Sequence, residues 1–124
     1  MNRARSSLMA MAALPLALAG CVTIRTVSDG VSRARIGETA MAGPVAVIPE
    51  RVIEDSRCPA EVQCVWAGQV RIAARVDGAP TELTLGKPAS AAGGTLTFTE
   101  VYPPKRKDAA LYPDEYRFGF TFAR

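Results

Sequence analysis

The side chains able to do chemistry in this sequence are few. The chain has 124 residues, with three cysteines and no histidine. Histidine is the commonest general base and the commonest metal ligand, so its absence excludes a Ser-His-Asp triad, a Cys-His pair and a histidine zinc site. The net charge of +3 is too small to indicate a nucleic-acid partner. The sequence contains no catalytic constellation, metal site or cofactor motif, which favours a protein that is not an enzyme.

The first 20 residues have the organisation of an export signal. Arg3 and Arg5 provide a positive start, residues 8–18 form an uncharged apolar run, and small residues follow. The run is shorter than the roughly 20 apolar residues that a membrane-spanning helix requires, and Pro15 interrupts it. The pattern predicts a secretory signal peptide over residues 1–20.

The end of this signal, Leu18-Ala19-Gly20-Cys21, resembles the lipobox of bacterial lipoproteins. The resemblance implies that the Cys21 thiol receives a diacylglycerol, that cleavage occurs just before Cys21, and that the new amine is acylated. Several acyl chains on one residue anchor a protein firmly in a membrane. The alternative is an ordinary cleaved signal with a chance cysteine. We expect residues 21–43 to be a lipidated N-terminus and a linker, with a candidate edge strand from Arg33 to Ala42.

Val22 follows the cysteine. In lipoproteins of Gram-negative bacteria an aspartate at that position resembles an inner-membrane retention signal. For a Gram-negative source, valine therefore favours an exported protein on the periplasmic face of the outer membrane.

Cys58 and Cys64 remain as an even pair once Cys21 carries lipid. Export places them in an oxidising compartment, where a disulfide is the expected state. A redox pair would show Cys-x-x-Cys spacing on a βαβ background. A metal site would need further ligands that the chain lacks. We therefore predict a structural disulfide.

From residue 44 the apolar residues alternate with a period of two, which indicates strands. Residues 70–85 read as a hairpin around an Asp77-Gly78 turn. Pro49 is expected to interrupt a strand, and residues 86–94 are expected to form a loop. Residues 44–124 are thus predicted to be a β-rich, all-β domain, a small antiparallel sandwich or barrel of about six or seven strands.

Four aromatic residues alternate in the last predicted strand, and their side chains share one face of it. Such a row could stack a ligand, but a chain this small has few other large side chains to bury. We expect these residues to be core: Tyr116, Phe118, Phe120 and Phe122.

The most distinctive stretch is Asp55-Ser56-Arg57-Cys58-Pro59, followed by Cys64 and by Trp66-Ala67-Gly68. It resembles a family of small bacterial secreted proteins and lipoproteins, and the resemblance extends over most of residues 33–124, including Tyr102-Pro103-Pro104. Members of that family are uncharacterised. The resemblance therefore implies a fold and no activity.

Asp55 and Arg57 are two residues apart, so they share a face of an extended strand and can pair. Trp66 is predicted to be mostly buried against the disulfide, because its even offset from Val70 puts it on the apolar face of that strand. The alternative makes Arg57 and Trp66 a surface recognition pair beside a rigid loop.

The sequence therefore predicts a membrane-anchored envelope lipoprotein whose domain is a non-enzymatic structural or binding module. The alternative is a protein-binding module or small inhibitor that presents the disulfide loop 58–64 to an envelope protein. A hydrolase using Glu54 and Asp55 is least favoured, since neighbouring side chains in a strand point to opposite faces. The basic run 105–107 is expected to be a solvated loop tip.

Overall fold

The computed structural model describes residues 19–21 and 28–124. Within them the chain forms eight strands and a short 3₁₀ helix, which confirms the all-β class. The strands are β1 (Ser32–Ala34), β2 (Ala40–Ala42), β3 (Val45–Asp55), β4 (Val70–Val76), β5 (Ala79–Thr84), β6 (Pro88–Ala91), β7 (Gly94–Tyr102) and β8 (Arg117–Ala123), and the 3₁₀ helix is Pro113–Glu115.

The strands form two four-stranded sheets. The first sheet has the order β1-β8-β7-β6 and the second has the order β2-β3-β4-β5. All paired strands are antiparallel. One apolar cluster contains residues from both sheets, so the sheets pack on each other as a sandwich.

The core follows from the alternation of apolar residues along the longer strands. Three rings make its centre: the Phe98 and Phe120 centroids lie 5.4 Å apart, and Phe118 packs edge-on against Phe98 at 5.8 Å. The prediction that the aromatic row of β8 is core is confirmed, with Phe122 half-buried at the margin. Within the apolar cluster, the residues with no exposed surface are Val45, Val47, Val70, Ile72, Leu96, Phe98, Phe118 and Phe120.

The β4–β5 hairpin turns at Asp77 and Gly78, as predicted. Both residues have a positive φ, of 49° and 82°, which is the backbone that two-residue hairpin turns require. The Asp77 carboxylate also accepts a hydrogen bond from the Ala46 amide at 2.9 Å. The turn is thereby tied to β3, the neighbouring strand of the second sheet.

Pro49 interrupts the regular pairing of its strand, as expected: β3 continues through it, but the register shifts between Pro49 and Arg51. Such an irregularity accommodates a residue that lacks an amide hydrogen. The expectation of a loop over residues 86–94 was wrong, because Pro88–Ala91 pairs with β7 as the edge strand β6. The described residues therefore contain more strands than predicted.

The candidate edge strand from Arg33 to Ala42 consists of two short strands. β1 pairs with β8 at the edge of the first sheet, and β2 pairs with β3 at the edge of the second sheet. The chain crosses from one sheet to the other between them. This crossing closes one side of the sandwich and sets β1 beside β8.

Candidate functional site

One of the two longest connections between strands is the β3–β4 loop, residues 56–69. Its two ends are held together by backbone and side-chain hydrogen bonds. The Ser56 amide donates to the Gln69 carbonyl oxygen at 2.9 Å, and the Gln69 amide donates to Ser56 Oγ at 3.0 Å. Gly68 lies directly against the Ser56 backbone, where a Cβ would overlap the Ser56 carbonyl group. The loop therefore leaves the sandwich through a narrow, closed neck.

Cys58 and Cys64 form a disulfide within this loop, as predicted, with their Cα atoms 5.9 Å apart. The bridge links two positions only six residues apart in the sequence. A closed ring of this size restricts the loop in the folded and unfolded states alike. The backbone between the cysteines is thus held in a small set of conformations.

Asp55, the last residue of β3, organises the base of the loop. Its carboxylate accepts hydrogen bonds from Arg57 Nε and Nη2, both at 2.9 Å, and from the Tyr116 hydroxyl at 2.8 Å. The Asp55 and Arg57 side chains are only 8% and 17% exposed. The predicted pairing of these two residues is confirmed, and the bond from Tyr116 links the loop base to the residue that precedes β8.

The protonation equilibria of this cluster are shifted. Burial acts to raise the pKa of Asp55, but the hydrogen bonds from Arg57 and Tyr116 outweigh burial, and the pKa lies below its usual value of 3.8. Burial, together with the hydrogen bond to Asp55, raises the pKa of Tyr116 to about 12. At neutral pH Asp55 is therefore a carboxylate and Tyr116 a neutral phenol.

Arg57 faces inward from the loop base. Besides the Asp55 carboxylate, its Nη2 donates to the Pro103 carbonyl oxygen at 3.1 Å. These bonds link the loop to the segment that follows β7. Arg57 therefore helps to position the loop.

The basic run 105–107 lies against the disulfide loop. Lys105 Nζ donates to the Asp55 carbonyl oxygen at 2.7 Å, and the Ala60 amide donates to the Lys105 carbonyl oxygen at 2.9 Å. The Glu61 carboxylate accepts from the Lys107 amide at 2.9 Å and forms a longer ion pair with Arg106. Arg106 and Lys107 are exposed, as expected of a loop tip, but the backbone here also braces the loop.

The prediction that Trp66 is buried was wrong. Its side chain is 64% exposed, and the neighbouring Val65 is 95% exposed. The even offset from Val70 has no meaning here, because β4 begins only at Val70 and the intervening residues are not extended strand. The close contact of Gly68 with Ser56 fixes the neck and leaves Trp66 outside it.

Val62 and Val65 were not singled out from the sequence. Val62 lies inside the disulfide ring and is 39% exposed. The sequence signal that could have found them is three large apolar side chains within an otherwise polar, non-alternating stretch. We call these three exposed apolar residues of the loop the apolar tip: Val62, Val65 and Trp66.

The predicted lipid-attachment residue Cys21 is an exposed free cysteine in the structure. Of the predicted signal peptide, only Ala19 and Gly20 lie within the described residues. The rest of it and Val22 lie outside them. The described residues contain no helix long and apolar enough to cross a membrane.

Residues 19–21 and 28–124 also contain no cluster of three or more cysteine or acidic side chains that could hold a metal ion. No protein-family model, curated protein or solved structure matches the chain.

Proposed function

We propose that this chain is a lipid-anchored protein of the bacterial cell envelope whose β-sandwich binds another protein through the apolar tip of the β3–β4 loop. The observation that carries the proposal is the exposure of Val65 and Trp66 on a loop fixed at several points. It favours a binding module over a purely structural one. A small inhibitor that places this loop in a partner's cleft is one form of the same function.

An exposed tryptophan on a rigid loop suits protein recognition for two reasons. Tryptophan is enriched among the residues that contribute most to binding energy at interfaces. A loop that is ordered before binding loses less conformational entropy when it binds. The disulfide, the Ser56–Gln69 neck and the bonds from Glu61 to the 106–107 segment provide that order.

The membrane anchor rests on the N-terminal sequence. The lipobox resemblance supports diacylglycerol on Cys21, and the exposed thiol is accessible to modification. An outer-membrane location on the periplasmic side is proposed for a Gram-negative source, on the ground of Val22.

Replacement of Cys21 tests the anchor. We expect Cys21→Ala to leave an uncleaved, lipid-free precursor, because the nucleophile that takes the lipid is gone. Intact mass of the wild-type protein should show removal of residues 1–20 and the added acyl chains. Carbonate-washed membranes should retain the wild-type protein and lose most of the variant. Equal retention of the two proteins, or a wild-type mass without lipid, would contradict lipidation.

Replacement of Trp66 tests the tip, and Tyr112 provides a matched control because its aromatic side chain is also 64% exposed. Surface substitutions usually change stability by less than about 0.5 kcal/mol, so Trp66→Ala and Tyr112→Ala should both melt close to the wild type. Loss of an interface hot spot of about 2 kcal/mol should weaken partner binding roughly 30-fold for Trp66→Ala.

The measurement is thermal denaturation of each variant, with quantified retention of envelope proteins on the immobilised chain. A Trp66→Ala protein that retains the same partner with the same affinity as Tyr112→Ala would rule out the tip as the binding surface.

A further inference from the structure

A cleft of about 780 Å³ opens on the outer face of the first sheet, and none of its lining residues belongs to the β3–β4 loop. Its volume lies within the range of small-ligand pockets. Arginines from β1 and β8 line it, together with carboxylates from β7 and from the 3₁₀ helix that precedes β8. Tyr102 and Pro103 contribute the apolar part of the lining.

Two of the arginines lie where the β1–β8 pairing ends. The last pair of the register is Ala34 with Phe118; Arg35 follows the first of these residues and Arg117 precedes the second, so the antiparallel course of the two chains brings them to the same place. Both side chains line the 780 Å³ cleft and also a smaller adjoining cavity of about 290 Å³. Like charges directly opposite each other on a sheet are destabilising.

The other arginine of the cleft, Arg33, is already neutralised. Its guanidinium is held by Asp29 at 2.6 Å and by Glu100 at 2.9 Å. Glu100 reaches Arg33 over Gly119, where a Cβ would lie 3.0 Å from the Glu100 side chain. Glu38 also lines the smaller cavity, where its carboxylate accepts a hydrogen bond from the Arg35 backbone amide at 3.3 Å.

Arginines of the described residues are otherwise mostly paired with carboxylates. Arg35 and Arg117 form no ion pair within that part of the chain, although they are neighbours in one cavity. The paired arginines are Arg33, Arg57, Arg71, Arg75 and Arg106.

The 3₁₀ helix supplies the opposite charge. Asp114 and Glu115 both line the cleft. Glu115 accepts a hydrogen bond from the Tyr112 amide at 2.7 Å, whereas Asp114 forms no ion pair with another described residue. The cleft thus has a cationic part on the sheet and an anionic part on the 3₁₀ helix.

We propose that this cleft binds a phosphate ester that also carries a protonated amine, with the phosphate on Arg35 and Arg117 and the ammonium on Asp114. One guanidinium fork saturates the two oxygens of a carboxylate, whereas two adjacent forks match the larger number of oxygens on a phosphate. The carboxylate of Asp114 would repel a bare phosphate and attract the amine. The ligand is either a free phosphoethanolamine-type compound or the headgroup of a lipid with the same chemistry.

Thermal denaturation of the full chain in neutral detergent tests the site, with O-phosphoethanolamine as the free probe. Because the probe binds only the folded state, it should raise Tm by about 5 °C at a probe concentration near ten times Kd. Methyl phosphate, which lacks the amine, should raise Tm less. Short-chain phosphatidylethanolamine provides the lipid source: a shift with the lipid alone assigns the headgroup, and a shift with the free probe assigns the soluble compound.

Variants with matched charge make the test specific. Arg35→Gln/Arg117→Gln should abolish the shift, and without ligand it should be at least as stable as the wild type, because two positive charges that line one cavity have been removed. Arg51→Gln/Arg124→Gln loses the same charge outside the cleft and should keep the shift. Asp114→Asn should remove the preference for the amine. No shift with either probe, or an unchanged shift in Arg35→Gln/Arg117→Gln, would overturn the proposal.

Discussion

Asp55→Ala is expected to lower the free energy of unfolding by about 3 kcal/mol, near the lower end for breaking a buried ion pair, because Arg57 is 17% exposed. The change leaves the Arg57 guanidinium without its carboxylate and the Tyr116 hydroxyl without its acceptor. Unpaired polar groups in a half-buried site carry the full cost of desolvation. Urea denaturation of the variant and the wild type measures the difference.

The exposed pair of Asp29 and Arg33 provides the control. Both side chains are about half exposed, so Asp29→Ala should cost no more than about 1 kcal/mol. The double variant Asp55→Ala/Arg57→Ala should recover part of the loss, since it leaves no unpaired charge. A loss for Asp55→Ala no larger than that for Asp29→Ala would show that the cluster does not hold the loop base.

The stability of Asp55→Ala should also respond to acid differently from that of the wild type. The pKa of Asp55 is lowered in the folded state from 3.8, so the folded state binds fewer protons than the unfolded state just below that pH. The contribution of Asp55 is therefore present above about pH 4 and is lost as the pH falls through its folded pKa. Tm should fall less steeply with acid in Asp55→Ala than in the wild type, and identical slopes would contradict this assignment.

Gly68→Ala is expected to lower the free energy of unfolding by about 3 kcal/mol, at the upper end for overpacking. A Cβ at this position would overlap the Ser56 carbonyl group and lie 2.7 Å from the Arg57 amide nitrogen. These are backbone atoms, so the neck itself must open, and the hydrogen bonds between Ser56 and Gln69 must lengthen or break. Partner binding should weaken as well, because the apolar tip loses its fixed position.

Ala67→Ser is the matched control for this substitution. Like Gly68→Ala, it adds one non-hydrogen atom to the loop, but at the exposed residue next to Gly68. It should change the free energy of unfolding by less than about 0.5 kcal/mol. Thermal denaturation and the rate of proteolysis within residues 56–69 measure both variants. If Gly68→Ala is as stable and as resistant to proteolysis as Ala67→Ser, the neck is not tightly packed.

Local patterns in the sequence predict the regular part of the fold. Alternation identifies β4 and the aromatic face of β8, and the dipeptide at residues 77–78 identifies the hairpin turn. Each of these features depends on residues close together in the chain. The disulfide also follows from local spacing combined with the expected export of the protein.

The parts of the structure that the sequence did not predict depend on contacts between residues far apart in the chain. The prediction that Trp66 is buried assumes that the strand containing Val70 extends back to residue 66. The close contact of Gly68 with the Ser56 backbone prevents that extension. The interior position of Arg57 depends on the Pro103 carbonyl oxygen and on Tyr116, whose hydroxyl shares the Asp55 carboxylate. Nothing local indicates these long-range partners.

The charged cleft is also built from residues that are far apart in the sequence. Arg35 follows the first strand and Arg117 begins the last one, and only the β1–β8 pairing sets them side by side. The acidic residues of the cleft come from the 3₁₀ helix, a short element without a periodic signal. Neither half of the cleft predicts the other from the sequence.

The measurement that tests the account most directly is site-specific photo-crosslinking in cells that export the protein. A photoreactive phenylalanine derivative is placed at Val65, the most exposed residue of the apolar tip, and in a separate protein at Tyr112, on the segment before the 3₁₀ helix. We expect the probe at residue 65 to yield a discrete covalent adduct with one envelope protein, lost when Trp66→Ala is added, and the probe at residue 112 to yield none. No protein adduct from residue 65, an adduct with lipid alone, or the same adduct from residue 112 would contradict the proposal that this loop binds a protein partner.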